Sequence, residues 1–175
     1  MKTFTLFILI LALFFGISAQ KAQAQSAITA QAFAEVIAAL TANETSQLNF
    51  GKFVPPTDGF GQVIITTDGS RLSSGSVMLS GGTAPERGIF HLTGAPDASF
   101  SIQLPTGPAL LTHQNSTKTM SVSDWVSTPT AGTGTGLLAS GAQNVYVGAT
   151  LQVGTLIDNP VGLYSGSYEL TFAYN

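Results

Sequence analysis

The stretch 168–174 constrains the fold of this chain more than any other. Tyr168, Leu170, Phe172 and Tyr174 alternate with smaller or polar side chains. A period of two places the four large residues on one face of a β-strand and their neighbours on the other. Because its last aromatic residue needs a neighbouring layer to bury it, the pattern predicts a strand that closes a sheet.

Similar short segments recur upstream, separated by glycine, proline and Asp-Gly turns. Asp68-Gly69 has the chemistry of a tight hairpin, and residues 127–136 are typical of a flexible loop. Strands are predicted at 47–53, 61–66, 71–79, 87–93, 98–104, 109–113, 118–126 and 144–153, with 87–93 and 98–104 as a pair. About 8 to 10 short strands predict an all-β, single Ig-like or pilin-like β-sandwich with Greek-key connections. A closed barrel is the alternative.

The N-terminus has the pattern of a cleaved signal peptide over residues 1–24. A short basic start precedes an apolar run, and Ala22-Gln23-Ala24 forms a small-residue cleavage site. The run has about 14 residues, whereas a membrane helix needs about 20. We therefore expect an exported protein, extracellular, at the cell surface or in the periplasm, with no membrane span and a mature chain that starts near Gln25.

Composition narrows the function classes further. The chain has no cysteine, and its mature part carries a net charge of about −5 at neutral pH. No basic patch is present for nucleic acid. We therefore expect no nucleic-acid partner. The low charge density, with much alanine, glycine, serine and threonine, fits an extracellular structural protein.

The sequence offers little that resembles catalytic or metal-binding chemistry. The mature chain has no G-x-S-x-G turn for a nucleophilic serine. His91 and His113 stand alone, whereas a metal site needs three or four converging ligands. We expect no enzyme activity, no cofactor and no metal. A cleft that joined one of these histidines to two acids would favour an enzyme instead.

Residues 25–46 form an N-terminal segment before the sandwich domain predicted at 47–175. Over 27–40, two patterns compete, and context favours the strand because everything downstream is β. A strand places Ile28, Ala30, Ala32, Ala34 and Val36 on one face. A helix aligns Phe33, Val36, Ile37 and Leu40. Residues 41–46 are predicted to be a polar connector.

Several motifs in this order resemble one known family. They are Gln47-Leu48-Asn49-Phe50-Gly51, Gly75-Ser76-Val77-Met78-Leu79, the stretch 100–105, the stretch 147–154 and the final Tyr174-Asn175. Together they look like the secreted bacterial family named domain of unknown function 4402. More distantly, the L-x-F-G element and the closing strand resemble spore-coat-U-like domains and chaperone-usher pilins. In pilins, a glycine commonly stands fourteenth from the end and a tyrosine stands next to last, as Gly162 and Tyr174 do here.

The pilin resemblance implies an assembly mechanism. A pilin domain lacks one strand, and the N-terminal segment of the next subunit fills the resulting groove. By that likeness, Ile28, Ala30, Ala32, Ala34 and Val36 would fill the groove beside residues 168–174 of a neighbour. The expected function is a non-enzymatic subunit of a surface fibre or coat, whose partners are its own copies or other surface subunits and an export chaperone.

Two alternatives stay open. In the first, the N-terminal strand pairs with the sheet of its own chain, and the protein is a self-sufficient monomer. Such a monomer would be a secreted binding module for carbohydrate or surface adhesion, with its site at the loop 127–136 or at Trp125 and Tyr146.

Overall fold

The fold is described from a computed structural model, which covers residues 26–82 and 84–175. The signal peptide predicted over 1–24 lies outside the described residues. Within the described part of the chain, no helix has the length and apolar character needed to cross a membrane.

Thirteen strands and a 3₁₀ turn at Ala139–Gly141 make up the regular structure of these residues. The first seven strands are β1 (Thr41–Ser46), β2 (Lys52–Val54), β3 (Gly61–Ile65), β4 (Arg71–Ser74), β5 (Met78–Ser80), β6 (Gly88–Thr93) and β7 (Ser99–Gln103). The remaining six are β8 (Ala109–His113), β9 (Thr119–Thr128), β10 (Gly132–Leu137), β11 (Ala142–Val153), β12 (Tyr164–Ser165) and β13 (Thr171–Tyr174).

These strands form the predicted β-sandwich. The larger sheet follows the order β1-β6-β11-β9-β8-β12, and β3 pairs with β11 and carries β4 on its other edge. A three-stranded sheet, β10-β7-β13, packs against it, and β2 pairs with β5 in a small third sheet. All the pairings between these strands are antiparallel. The all-β prediction is therefore confirmed.

Strand β11 connects the two halves of the core. Its inward residues alternate along the whole strand, as a period of two requires. Core cluster 1 consists of Phe50, Val63, Ile65, Val77, Met120, Val122, Ala149, Leu151 and Val153. Core cluster 2 consists of Leu92, Phe100, Ile102, Leu138, Val145 and Val147. The residues of β11 before Gly148 thus pack in cluster 2, and those after it pack in cluster 1.

Gly148 lies where β11 changes partner along one edge. Residues 142–147 pair with β6, and residues 149–153 pair with β3. At the junction the backbone of β3 approaches so closely that a Cβ on Gly148 would lie 2.3 Å from the carbonyl oxygen of Ile65. Strand β11 continues through Gly148, because a glycine has no side chain to collide with the backbone of β3.

Some local predictions hold and others are wrong. The Asp68-Gly69 hairpin joins β3 to β4, with Gly69 at a φ of 91° and its N–H bonded to the Thr66 carbonyl. The predicted pairing of 87–93 with 98–104 is wrong, because β6 and β7 belong to different sheets. The chain crosses between the layers at 94–98. The stretch 127–136 is also not a plain loop, since it contains most of β10.

Two predictions at the N-terminus are wrong. Residues 26–40 form neither the strand nor the helix that their patterns suggested. The polar stretch 41–46, predicted to be a connector, is strand β1 and pairs with β6 from Thr41 opposite Thr93 onward. A hydrophobicity pattern does not reveal this strand, because its side chains are exposed. Strand β1 is held instead by backbone hydrogen bonds to β6 and by hydroxyl contacts such as that of Thr41 with Thr93.

The closing segment keeps its predicted alternation but changes sheet partway. Strand β12 pairs with β8 in the larger sheet, and β13 pairs with β7 in the three-stranded sheet. The residues between them, 166–170, belong to no strand. Tyr168, Leu170, Phe172 and Tyr174 all pack on core cluster 2, whereas the residues that alternate with them are exposed.

Candidate functional site

An open groove separates the two outermost strands of the larger sheet. Strand β1 ends that sheet on one side and β12 ends it on the other. The curled sheet brings both edges to the same groove, which has a volume of about 1040 Å³. Among the described residues, no strand pairing joins β1 to β12 or β13 across it. The sheet is therefore interrupted along this line, and in the part of the chain that the structure describes the outer edges of β1 and β12 have no strand partner.

The walls and floor of the groove are largely apolar. One wall is the stretch 47–53 that follows β1, and the other is the stretch 159–168. The floor is formed by side chains of the central strands, namely Ala109, Leu111, Met120, Val122 and Leu151. Met120, Val122 and Leu151 belong to core cluster 1, so the groove opens onto the hydrophobic core itself. An apolar opening between two sheet edges fits an extended peptide better than a compact polar ligand.

Arg71 holds the first wall in place. Its guanidinium donates hydrogen bonds to the carbonyl oxygens of Phe50 at 3.2 Å, Lys52 at 3.1 Å and Ser80 at 3.0 Å. One side chain on β4 thus ties the groove wall and the small β2-β5 sheet to the larger sheet. Bonds from a charged donor are stronger than neutral ones, so this wall is positioned before any ligand arrives.

The second wall begins at a loop anchored by two buried polar residues, His113 and Asn159. One ring nitrogen of His113 accepts the N–H of Asn115 at 3.0 Å, and the other lies 3.1 Å from the carbonyl oxygen of Val161. This pattern assigns the ring proton to Nε2. Gly162 packs against the same ring, since a Cβ there would lie 2.0 Å from Nε2. Only glycine therefore fits at position 162, because any side chain there would collide with the His113 ring.

Tyr168 completes the second wall. Its ring lies 4.7 Å from that of Trp125, centre to centre, and makes an edge contact with Phe90 at 6.4 Å. Its buried hydroxyl has no hydrogen-bond partner among the residues that the structure describes. Burial, with a smaller contribution from the charge of Glu44, raises the pKa of Tyr168 above its usual value of 10.0. Tyr174 is the opposite case, because its hydroxyl accepts the Ala95 N–H at 2.7 Å and donates to the Ala38 carbonyl at 2.9 Å.

This contrast predicts opposite effects for the same substitution. Tyr168→Phe removes an unsatisfied hydroxyl, so we expect the free energy of unfolding to stay level or to rise by up to about 1 kcal/mol. Tyr174→Phe leaves a donor and an acceptor unpaired, so we expect a loss of about 1–2 kcal/mol. Urea unfolding of the two variants, each against the wild type, measures both changes.

The pH dependence separates them further. Tyr168 stays neutral in the folded protein to a higher pH than in the unfolded chain. Its contribution to the free energy of unfolding is therefore constant below about pH 10, and it declines at higher pH, where the unfolded chain ionises first. Tyr168→Phe is expected to lose less stability between pH 9 and about 11 than the wild type. An equal alkaline loss in both proteins would contradict the burial of this hydroxyl.

The structure places the predicted assembly residues in three groups. Gly162 and Tyr168 line the groove. Leu170, Phe172 and Tyr174 pack on core cluster 2 instead. The five N-terminal residues Ile28, Ala30, Ala32, Ala34 and Val36 are all exposed, with Ile28 at 92% and Val36 at 96%. Most of the groove residues were not singled out from the sequence, although Leu48 and Phe50 belong to the L-x-F-G element.

Trp125 and Tyr146 do not form a shared, exposed aromatic surface for carbohydrate. Trp125 packs on Tyr168 and both core clusters, and its indole N–H donates to the Gly107 carbonyl at 3.3 Å. Tyr146 lies instead under the guanidinium of Arg87, 3.8 Å from the ring centre. His91 bonds to Asn144 at 2.7 Å. No cluster of three metal-ligating side chains occurs within residues 26–82 and 84–175.

Comparison with known proteins gives one result at the level of the family. No curated protein matches the chain. No solved structure matches it either. The family described as Domain of unknown function (DUF4402) matches residues 40–174, which begins one residue before β1 and ends with β13. Because that match covers most of the chain, the protein belongs to the DUF4402 family.

Proposed function

We propose that this protein is an exported, non-enzymatic subunit of a surface fibre or coat that assembles by strand addition. The observation that carries the proposal is the groove between β1 and β12, where the sheet is interrupted over its own core. A strand inserted there pairs with the outer edges of β1 and β12 and covers the apolar floor. An extended peptide provides the backbone pairing and the burial of the floor at once, so the groove favours such a ligand.

The N-terminal segment of a second copy is the proposed strand. Residues 26–39 form no regular structure, and their apolar side chains are exposed. In an extended conformation, Ile28, Ala30, Ala32, Ala34 and Val36 share one face. Burying Ile28 and Val36 in the groove contributes about 1.5–3 kcal/mol each, and the alanines less. The small alanine side chains allow the segment to lie close to the floor.

The same groove accounts for the proposed partners and location. An apolar sheet edge that stays open promotes aggregation, so an export chaperone covers it until a second subunit arrives. The signal-peptide pattern at 1–24 supports export. The bonding of His113 to backbone atoms and of His91 to an amide supports a non-enzymatic role for both histidines.

Light scattering tests the proposal with two chains. One starts at Gln25, and the other starts at Ile37, which keeps the Ala38 contact to Tyr174 and the packing of Leu40. We expect the longer chain to polymerise and the shorter one to be a monomer. We also expect the shorter chain to bind a peptide of residues 27–36, and to bind poorly to the same peptide with Ile28→Asp and Val36→Asp.

A stable monomer from the longer chain would contradict strand addition. If shortening then merely lowered stability, the segment would act in cis. The binding-module alternative would then replace the fibre.

A further inference from the structure

A buried histidine supports the second wall of the groove. His113 is the last residue of β8, and only 8% of its surface is exposed. It pairs with Tyr164 of β12, and the two rings meet edge to face with their centres 4.9 Å apart. The N–H of the next residue, Gln114, donates to the Leu163 carbonyl at 2.8 Å. The backbone of the second wall is therefore packed on His113 and bonded to the residue after it.

Both ring nitrogens of His113 are bonded to backbone atoms in a way that requires a neutral imidazole. Nδ1 accepts the Asn115 N–H at 3.0 Å, and Nε2 donates to the Val161 carbonyl oxygen at 3.1 Å. A neutral ring has one acceptor and one donor nitrogen, whereas a protonated ring has two donors. Protonation of Nδ1 would place two N–H groups against each other, so the hydrogen bond from Asn115 would be lost.

The ring has little space in which to turn away from that conflict. The backbone of Gly162 lies so close that an added Cβ would be 2.7 Å from Cδ2 and 2.9 Å from Cε1 of His113. A ring that rotates or shifts therefore pushes on the wall at Gly162. It also moves Nε2 away from the Val161 carbonyl. The charge of the ring and the position of the wall are thus coupled through direct contacts.

The ionisable side chains on the segments packed around His113 have other partners. Tyr164 donates its hydroxyl to a loop carbonyl at 2.9 Å, and the carboxylate of Asp158 accepts a threonine hydroxyl at 3.0 Å. Lys118, on the turn to β9, contacts His113 through its backbone carbonyl. In the part of the chain that the structure describes, neither ring nitrogen is bonded to a carboxylate. No acidic partner therefore compensates a charge on this ring.

We propose that His113 makes the groove sensitive to acid: the neutral ring holds the second wall in position to accept a strand, and protonation releases the wall. Histidine is the side chain that changes charge between pH 5 and 8. The contacts of His113 require the neutral ring, so they are complete above this range and are lost as the pH falls through it. The inference rests on the proposed strand addition and adds a condition for it, a neutral medium.

His91 provides a control within the same chain, which has only two histidines. One ring nitrogen of His91 lies 2.7 Å from the side-chain oxygen of Asn144. A ring N–H donates to that oxygen in the neutral and in the protonated form alike. His91 also does not line the groove. Protonation of His91 therefore leaves both its own contact and the second wall unchanged.

Peptide binding at two pH values tests the proposal. The protein is the chain from Gln25 with Ile28→Asp and Val36→Asp, which keeps its full length but donates its own strand poorly. The probe is the 27–36 peptide with blocked ends and with Glu35→Gln, so that the peptide itself does not titrate. We expect its affinity to fall about 5-fold or more between about pH 7.5 and about pH 5.5, the factor that corresponds to the loss of one hydrogen bond.

Two further substitutions in this protein assign the pH effect to one residue. His91→Gln leaves His113 as the sole histidine, so the affinity should fall as before. His113→Gln removes the titrating ring, so its affinity should be equal at both pH values, whatever its level. An affinity that does not change with pH before these substitutions would overturn the proposal. A pH effect that persists in His113→Gln would also overturn it.

Hydrogen exchange measures the wall directly, without peptide and without a change at His113. The Gln114 N–H is protected by its bond to the Leu163 carbonyl. In His91→Gln, we expect its protection factor to fall about 5-fold or more at the lower pH, while amides in the β3–β11 pairing keep theirs. Loss of protection without peptide binding at either pH would contradict strand addition and support the acid-sensitive wall. Unchanged protection would overturn the acid-sensitive wall alone.

Discussion

Ala109→Trp is expected to abolish polymerisation while leaving the fold intact. Ala109 lies on the groove floor, on β8 opposite Val122 of β9. An indole at this half-buried position occupies the space that the inserted strand needs. Binding of the 27–36 peptide should weaken roughly 100-fold or more, since the burial of both Ile28 and Val36 is lost. Calorimetry of peptide binding and light scattering of the full chain measure the two effects.

Leu110→Trp is the matched control. Leu110 is the next residue on the same strand, so its side chain points to the opposite face, where it is exposed outside the groove. We expect this variant to polymerise like the wild type. Urea unfolding of both variants should agree with the wild type within about 1 kcal/mol, which separates a blocked groove from a damaged fold. Normal polymerisation of Ala109→Trp would show that strands are not inserted here.

Gly148→Ala is expected to cause the largest loss of stability. The added Cβ meets the carbonyl oxygen of Ile65 and the carbonyl carbon of Thr66, the latter at 3.0 Å. Neither backbone atom moves without breaking the pairing of β11 with β3, which spans core cluster 1. We expect a loss of about 3 kcal/mol or more, a large part of the 5–15 kcal/mol typical of a domain.

The control for this variant is Gly107→Ala, where an added Cβ has no neighbour within 4 Å. Its stability should stay within about 0.5 kcal/mol of the wild type. The midpoints of urea unfolding, compared at constant slope, give both values. A neutral Gly148→Ala would mean that β3 and β11 are less tightly joined than the structure has them.

The sequence predicted those parts of the fold in which side chains follow a period of two. Phe100 and Ile102 on β7, and Phe172 and Tyr174 on β13, face the core as their alternation predicts. Strand β1 was missed because an edge strand with exposed polar side chains has no such pattern. The pairing of β6 and β7 was predicted wrongly because a short turn between two strands does not by itself reveal a change of sheet.

The site was predictable only in part, for a physical reason. A groove depends on which strands are neighbours in space, and no residue pattern records those neighbours. Gly162 was found through the resemblance to pilins and Tyr168 through its alternation, and both line the groove. The floor residues Leu111 and Met120 have the same apolar character as any core residue. Only the three-dimensional order of the strands shows that these two residues lie at the bottom of a groove.

The bond between Tyr174 and Ala38 also has a consequence for folding kinetics. Strand β13 pairs with β7 far upstream, and the hydroxyl of Tyr174 reaches the start of the domain. During synthesis, strands such as β7 therefore stay without their partners until the C-terminal strands have been made. Pairing between strands so far apart in sequence is slow, in the range of milliseconds to seconds. The time during which β7 and the groove floor stay unprotected is set by the arrival of residues 164–174. Variants that slow this last step should aggregate during expression even when their final stability is normal.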